Sequence, residues 1–166
     1  MEYYNKEMKV IDNFLPKDSF NDLTKLIMDN YFPWYFNFFI SSNKEIKEKN
    51  CYFNHLIYES GPKSSHFEFI KNKLLSYMDI THLIRVKINC YPRLEKITKH
   101  EPHVDYDFPH KGLIFSLNTC DGFTIIGNKK TSSVENRALF FDPSKPHCST
   151  NCSNAKARFN ININYH

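Results

Sequence analysis

The chain has 166 residues, of which 41% are hydrophobic and 24% charged, and 22 basic against 18 acidic side chains leave a net charge of +4. That length fits one domain with a real core, and a mild positive balance without a clustered basic stripe makes nucleic acid the least favoured partner class. No apolar run approaches the roughly 20 residues of a membrane helix. The opening MEYYNKEMKV has no apolar h-region, and the five cysteines form no CxxC pair, so the reading is a soluble cytoplasmic protein with reduced thiols and no membrane partner.

In chain order, KVIDNFL (9–15) predicts a short strand closed by Pro16. Phe20, Leu23 and Ile27 then recur at helical spacing, with Asp18 as the N-cap. YFPWYFNFFI (31–40) is short and aromatic and reads as a strand, in which Trp34, Tyr35 and Phe36 form core or the wall of a substrate pocket. SSNKEIKEKN (41–50) reads as a solvated loop, with a mobile lid as the alternative. Phe67, Ile70, Leu74 and Met78 mark a second helix.

From residue 82 the period becomes two. In HLIRVKINCYP, Ile84, Val86, Ile88 and Cys90 alternate with Arg85, Lys87, Asn89 and Tyr91. Further strands follow as GLIFSLN (112–118), GFTIIG (122–127), RALFFD (137–142) and ARFNININY (157–165), with turn signals at Asp121-Gly122, Gly127-Asn128 and Pro143. Short strands after a helix-bearing first part predict a barrel or sandwich with helices on one side. The expected organisation is a single domain over 1–166, with 1–80 as helix-rich support and 81–166 as barrel core. The last strand sets Phe159, Ile161, Ile163 and Tyr165 on one face and Arg158, Asn160, Asn162 and Asn164 on the other, a polar face suited to a wet cavity inside a barrel.

The densest chemistry lies in KHEPHVDYDFPH (99–110). Pro102 and Pro109 make a helix there unlikely to form. In extended chain, at about 3.3 Å per residue, His103 and Asp105 project together, whereas neither His100 nor His110 has a carboxylate two residues on. FFDPSKPHCS adds His147 after a strong strand and a proline turn. Two imidazoles and one carboxylate make the facial ligand set of non-haem Fe(II) oxygenases. Zinc would draw a fourth protein ligand or a thiolate, and Cys148 on a strand points away from His147. Arg158 then supplies a bidentate cation for the far carboxylate of a dicarboxylate cosubstrate such as 2-oxoglutarate.

At NCYP, HVD, IFSLNTCDGFT, NRALFFDPSKPH and RFNININY the chain resembles the Fe(II)- and 2-oxoglutarate-dependent dioxygenases, in particular the prolyl-4-hydroxylase-like branch and its small stand-alone viral and bacterial members. The match runs from about residue 84 to the C-terminus and is looser before that. The resemblance implies a mainly β fold with N-terminal α/β elements, a double-stranded β-helix (a jelly-roll, cupin-like barrel) buttressed by helices. It implies Fe(II) on His103, Asp105 and His147, and 2-oxoglutarate held by Arg158 with Tyr91, Ser116 and Thr124 lining the same pocket. Ser116 departs from the tyrosine frequent at its position. The implied reaction consumes O2, converts 2-oxoglutarate to succinate and CO2, and hydroxylates a C–H bond of a protein side chain or small metabolite. No catalytic residue beyond the metal ligands is implied, and Tyr106, Asp107 and His110 read as a polar entrance loop, with Tyr106 or Asp107 a possible substrate contact. The alternatives are a non-catalytic cupin or jelly-roll protein that binds metal or is structural, and, less favoured, a zinc hydrolase.

Overall fold

The computed structural model describes residues 8–38 and 51–166, so the loop or lid expected at 41–50 and the end of the aromatic strand at 39–40 lie outside the described residues. In chain order the elements are β1 (Lys9–Ile11), α1 (Lys17–Ile27), β2 (Tyr35–Asn37), β3 (Tyr52–Glu59), α2 (Phe67–Lys73), a 3-10 turn (Leu75–Tyr77), β4 (Leu83–Pro92), β5 (Lys111–Ser116), β6 (Phe123–Ile126), β7 (Lys129–Ser132), β8 (Arg137–Phe141), β9 (His147–Ser149) and β10 (Ala157–Tyr165). They form a major sheet ordered β1-β8-β5-β10-β4-β3-β2 and a minor sheet ordered β7-β6-β9, antiparallel throughout. Three strands from the first half of the chain therefore join the major sheet.

The two-residue period of β10 decides which side of the sheet is oily. Ile161, Ile163 and Tyr165 are buried in one apolar core with Leu23 and Ile27 of α1, Ile70 of α2 and Leu74, which places the helices on that face. Each such side chain contributes about 1.5–3 kcal/mol when fully withdrawn from water. The opposite face carries Arg158, Asn160 and Asn164, all buried as well, and turns toward the minor sheet. Burial of polar side chains on both neighbours of a central strand is what a cavity between two sheets requires.

Several local expectations change. The first strand stops at Ile11 because Asn13 takes a left-handed φ of 51°; Phe14 and Leu15 then hang on Asn136, which bonds both the Leu15 N–H and its carbonyl at 2.9 Å. Asp18 is not the N-cap. Pro16 holds that place with φ −52°, and Asp18 sits in the first turn, where its charge complements the helix dipole. The second helix ends at Lys73 and resumes only as the 3-10 turn, because Leu74 leaves helical geometry at φ −131°. Gly127, at φ 56°, and Asn128 make the two-residue turn between β6 and β7, as that dipeptide predicts.

Candidate metal centre

The minor sheet continues past β9 into the histidine-rich segment. Lys99 bridges Thr150 and His103 bridges His147, each antiparallel. His103 and His147 exchange both backbone hydrogen bonds at 2.9 Å, so the two residues stand directly opposite and share one face. Their rings lie 4.6 Å apart between centroids. Two residues further on, the Asp105 N–H bonds the Pro143 carbonyl at 2.9 Å, which ties this segment to the DPSKP turn leading into His147. Asp105 Oδ1 is thereby 3.8 Å from His103 Nε2 and 4.0 Å from His147 Nε2, and one ligand atom from each of the three lies within 4.8 Å of the others.

Each imidazole is oriented by its other nitrogen. His103 Nδ1–H donates to the Glu101 carbonyl at 3.4 Å and His147 Nδ1–H to the Lys145 carbonyl at 3.0 Å, leaving both Nε2 lone pairs for a cation. Burial, aided by the neighbouring His147, lowers the His103 pKa and keeps that ring neutral. Asp105 accepts from Asn164 Nδ2 at 2.9 Å and Asn162 Nδ2 at 3.3 Å on Oδ2, and Arg85 Nη2 stands 3.0 Å from Oδ1 as an ion pair outside hydrogen-bond directions. Burial opposes ionisation of this carboxyl, but the Arg85 charge, the Asn164 bond and the two imidazoles outweigh it and hold the pKa at about 2. Two imidazole Nε2 atoms beside an ionised carboxylate fit a hard or borderline divalent ion.

A pH dependence follows. The folded pKa of Asp105 is depressed below its ordinary 3.8. The stability it contributes is present above the unfolded value and is lost as pH falls toward 2. The total is about 2 kcal/mol, of which about 1 kcal/mol is gone by pH 3. In metal-free protein, urea unfolding at pH 6 and pH 3 should show a fall smaller by that amount in Asp105→Asn; equal falls in both proteins would contradict the electrostatic account.

Arg158, only 1% exposed, reaches the minor sheet from β10. Nη1 donates to the carbonyls of Phe123 (3.0 Å) and Thr150 (2.9 Å) and to Ser149 Oγ; Nη2 donates to Thr124 Oγ1 at 2.9 Å. Every one of these partners is neutral, Nε is buried without a partner, and no carboxylate pairs with the guanidinium among the described residues. A buried cation left uncompensated in this way fits an anionic ligand. Gly122 makes the seat possible, since a Cβ there would meet Arg158 Cδ at 2.7 Å and the Asn151 carbonyl oxygen at 2.6 Å.

No protein-family model matches the chain, and no curated protein matches it by sequence. Its structure, however, is similar to a prolyl hydroxylase from Trichoplax adhaerens solved with a hypoxia inducible factor peptide fragment, at TM-score 0.69 and 16% identity over 97% of this chain and 84% of that one. It is similar to a Pseudomonas putida prolyl-4-hydroxylase, at TM-score 0.62 and 11% identity over 98% and 94% of the two chains. The viral collagen prolyl hydroxylase of Paramecium Bursaria Chlorella virus-1, solved as a 2-oxoglutarate complex, aligns at TM-score 0.52 and 14% identity over 96% and 95%. The fold is the double-stranded β-helix of the 2-oxoglutarate oxygenases.

On this double-stranded β-helix, Tyr91 stands across from Arg158 in the β4–β10 register, buried, with its ring stacked on Tyr52 at 5.4 Å. Burial raises its hydroxyl pKa, keeping it a neutral donor. Ser116 is buried on β5 opposite Asn160, and Thr124 is already the acceptor of Arg158 Nη2. Two histidines set aside in the sequence are drawn in. His100 is buried 5.1 Å from the Tyr91 ring with Nδ1 unpartnered; burial and the Arg158 charge push its pKa down to about 3. His110 donates from Nδ1 to the Phe108 carbonyl at 2.8 Å and accepts at Nε2 from Asn164, 3.1 Å away, so it braces the amide that holds Asp105. Tyr106 is occupied: its hydroxyl donates to Glu59 at 3.1 Å and its ring lies 5.2 Å from the Arg85 guanidinium. A surface cavity of about 520 Å³, lined by Lys25, Phe32, His66 and Phe69 among others, lies on the α1–α2 side and includes none of these groups.

Proposed function

We propose that this chain, as a single domain, is an Fe(II)- and 2-oxoglutarate-dependent dioxygenase that hydroxylates a C–H bond of a protein side chain or small metabolite. The observation that carries the reading is Arg158, a fully buried guanidinium with only neutral partners, on the same polar face that leads to two imidazoles and a carboxylate gathered around one point. His103, Asp105 and His147 would hold Fe(II); Arg158, flanked by Tyr91, Thr124 and Ser116, would hold the distal carboxylate of 2-oxoglutarate. When bound, the metal and cosubstrate would supply the oxidation, one oxygen atom of O2 ending in succinate, with release of CO2, and the other in the substrate.

The protein's own share is positional. The His103–His147 bridge fixes two ligands on one side, and their Nδ1–H bonds to carbonyls lock the ring faces. Arg85, Asn162 and Asn164 keep Asp105 ionised and pointed inward. The Tyr52–Tyr91 stack would wall the cosubstrate region with rings. The Trichoplax enzyme's peptide complex supports a protein side chain as one substrate class.

The test is succinate formation from 2-oxoglutarate with Fe(II) and O2 in the absence of added substrate. Slow turnover that stops with a chelator and is absent in His147→Ala supports the reading. Folded wild-type protein that forms no succinate and binds neither metal nor 2-oxoglutarate would reduce it to a non-catalytic barrel.

A further inference from the structure

The inner face of the major sheet runs on beyond the candidate cosubstrate seat as cations and amides. Arg85, Lys87, Asn89 and Tyr91 of β4 stand opposite Asn164, Asn162, Asn160 and Arg158 of β10. The function proposed above uses this face at Arg158 and, through Arg85, around Asp105, and leaves Lys87 unexplained. Arg85 has a side chain only 14% exposed, and both its Nε and its Nη2 are buried without a hydrogen bond. The Oδ1 atoms of Asn89, Asn162 and Asn164 are buried and unpartnered too. Glu59, across from Arg85, instead accepts from Tyr106.

Lys87, half-buried, stands between Arg85 and Asn89 in this row. Its Nζ lies 5.8 Å from the centre of the Tyr52 ring, which stacks on Tyr91, so the ammonium stands at the rim of the same space. Lys87 stands opposite Asn162 in the β4–β10 register, and Asn162 Nδ2 donates to the candidate metal ligand Asp105 at 3.3 Å, so Lys87 flanks the metal centre. No carboxylate pairs with Lys87 among the described residues. On the His147 side the character reverses: Phe141 lies 4.9 Å from that ring and packs with Ile114, Leu139 and Ile126. Asp105 lies 3.0 Å from Arg85 Nη2 and is itself a candidate metal ligand, so the Lys87 charge is left over.

We propose that Lys87, backed by Arg85, receives a carboxylate of the substrate beside the metal. The substrate class is then a carboxylate-bearing molecule, either a free amino acid or an acidic side chain, with the oxidised carbon close to the anion. An internal prolyl residue, uncharged, does not match this flank. The inference rests on the oxygenase reading and deepens it by naming what the polar flank recognises. The ammonium and the Arg85 fork offer charge-assisted hydrogen bonds, which are both stronger and more selective than neutral ones.

The experiment uses full-length protein with Mn(II) in place of iron and saturating 2-oxoglutarate, and reads paramagnetic broadening of probe protons by NMR. The probes are the twenty L-amino acids with their carboxamides, and N-acetyl amides of aspartate, glutamate, asparagine and glutamine. The expected result is broadening of at least one carboxylate probe, none of its amide counterpart, and at least tenfold weaker binding in Lys87→Gln with 2-oxoglutarate binding retained. Free amino acids or the N-acetyl acidic amides, whichever respond, identify the carboxylate's source. Arg85→Lys should preserve part of the effect. No carboxylate-dependent probe, or equal affinity in Lys87→Gln, overturns the proposal while the oxygenase reading stands. Failure of wild type to bind 2-oxoglutarate at all would instead overturn the reading beneath it.

Discussion

Arg158→Ala weakens 2-oxoglutarate binding by at least a hundredfold while leaving metal binding unchanged. The guanidinium is withdrawn from water, spends its bonds on two carbonyls and two hydroxyls, and meets no carboxylate among the described residues. On the proposed reading a dicarboxylate supplies the negative charge, so deleting the arginine would strand the ligand's far carboxylate in the same dry place. Breaking a buried charged pair from one side costs about 2–5 kcal/mol, and about 3 kcal/mol is a hundredfold or more in affinity. Calorimetric titration of Mn(II)-loaded protein reads it directly. Arg158→Lys falls between, because an ammonium keeps the charge but cannot reach Thr124 and the Phe123 and Thr150 carbonyls at once. A 2-oxoglutarate affinity unchanged in Arg158→Ala would place the cosubstrate elsewhere.

Asp105→Ala loses both metal and stability. On the proposed reading the metal loses its one carboxylate ligand, and Arg85 loses the charge 3.0 Å away that offsets its own burial. Removing one member of a buried ion pair costs about 3–5 kcal/mol, because the survivor stays buried and unpaired. The second change should therefore be repaired, and the first not, by Arg85→Met in the same chain: the double variant recovers most of the unfolding free energy and still binds no metal. A double variant no more stable than Asp105→Ala would show that Asp105 is held by the amides of Asn162 and Asn164 rather than by charge.

Much of this was legible in the residues, and the reason is periodicity. The last strand ends where its alternation of isoleucine and asparagine ends, at Ala157–Tyr165, and its polar face, which the sequence marked as a cavity lining, is largely buried like the apolar one. His103 and Asp105, two apart in extended chain, do converge with His147, and the backbone bridge that joins them needs only the sheet pairing of 99–103 with β9. What escaped has local causes. A bulge between Leu56 and Tyr58 breaks the alternation of β3 and hides it, and β7 is a four-residue polar strand, KKTS, with no apolar face to read. His100 and His110 were judged by neighbours two residues away, whereas their contacts, Tyr91 and Asn164, come from strands remote in sequence. Arg85 drew no role from the sequence beyond its place in the alternation of β4, because nothing in β4 alone reveals the carboxylate folded over it.

One measurement bears most directly on the central claim: anaerobic titration of Fe(II) and 2-oxoglutarate into the metal-free protein, followed by the weak visible charge-transfer absorption of an iron-chelated keto acid. The account predicts a band in wild type, no band in His147→Ala, and a band in Arg158→Ala only at far higher 2-oxoglutarate. A folded wild-type protein that takes up Fe(II) and 2-oxoglutarate without developing the band, or develops it equally in all three, would contradict it.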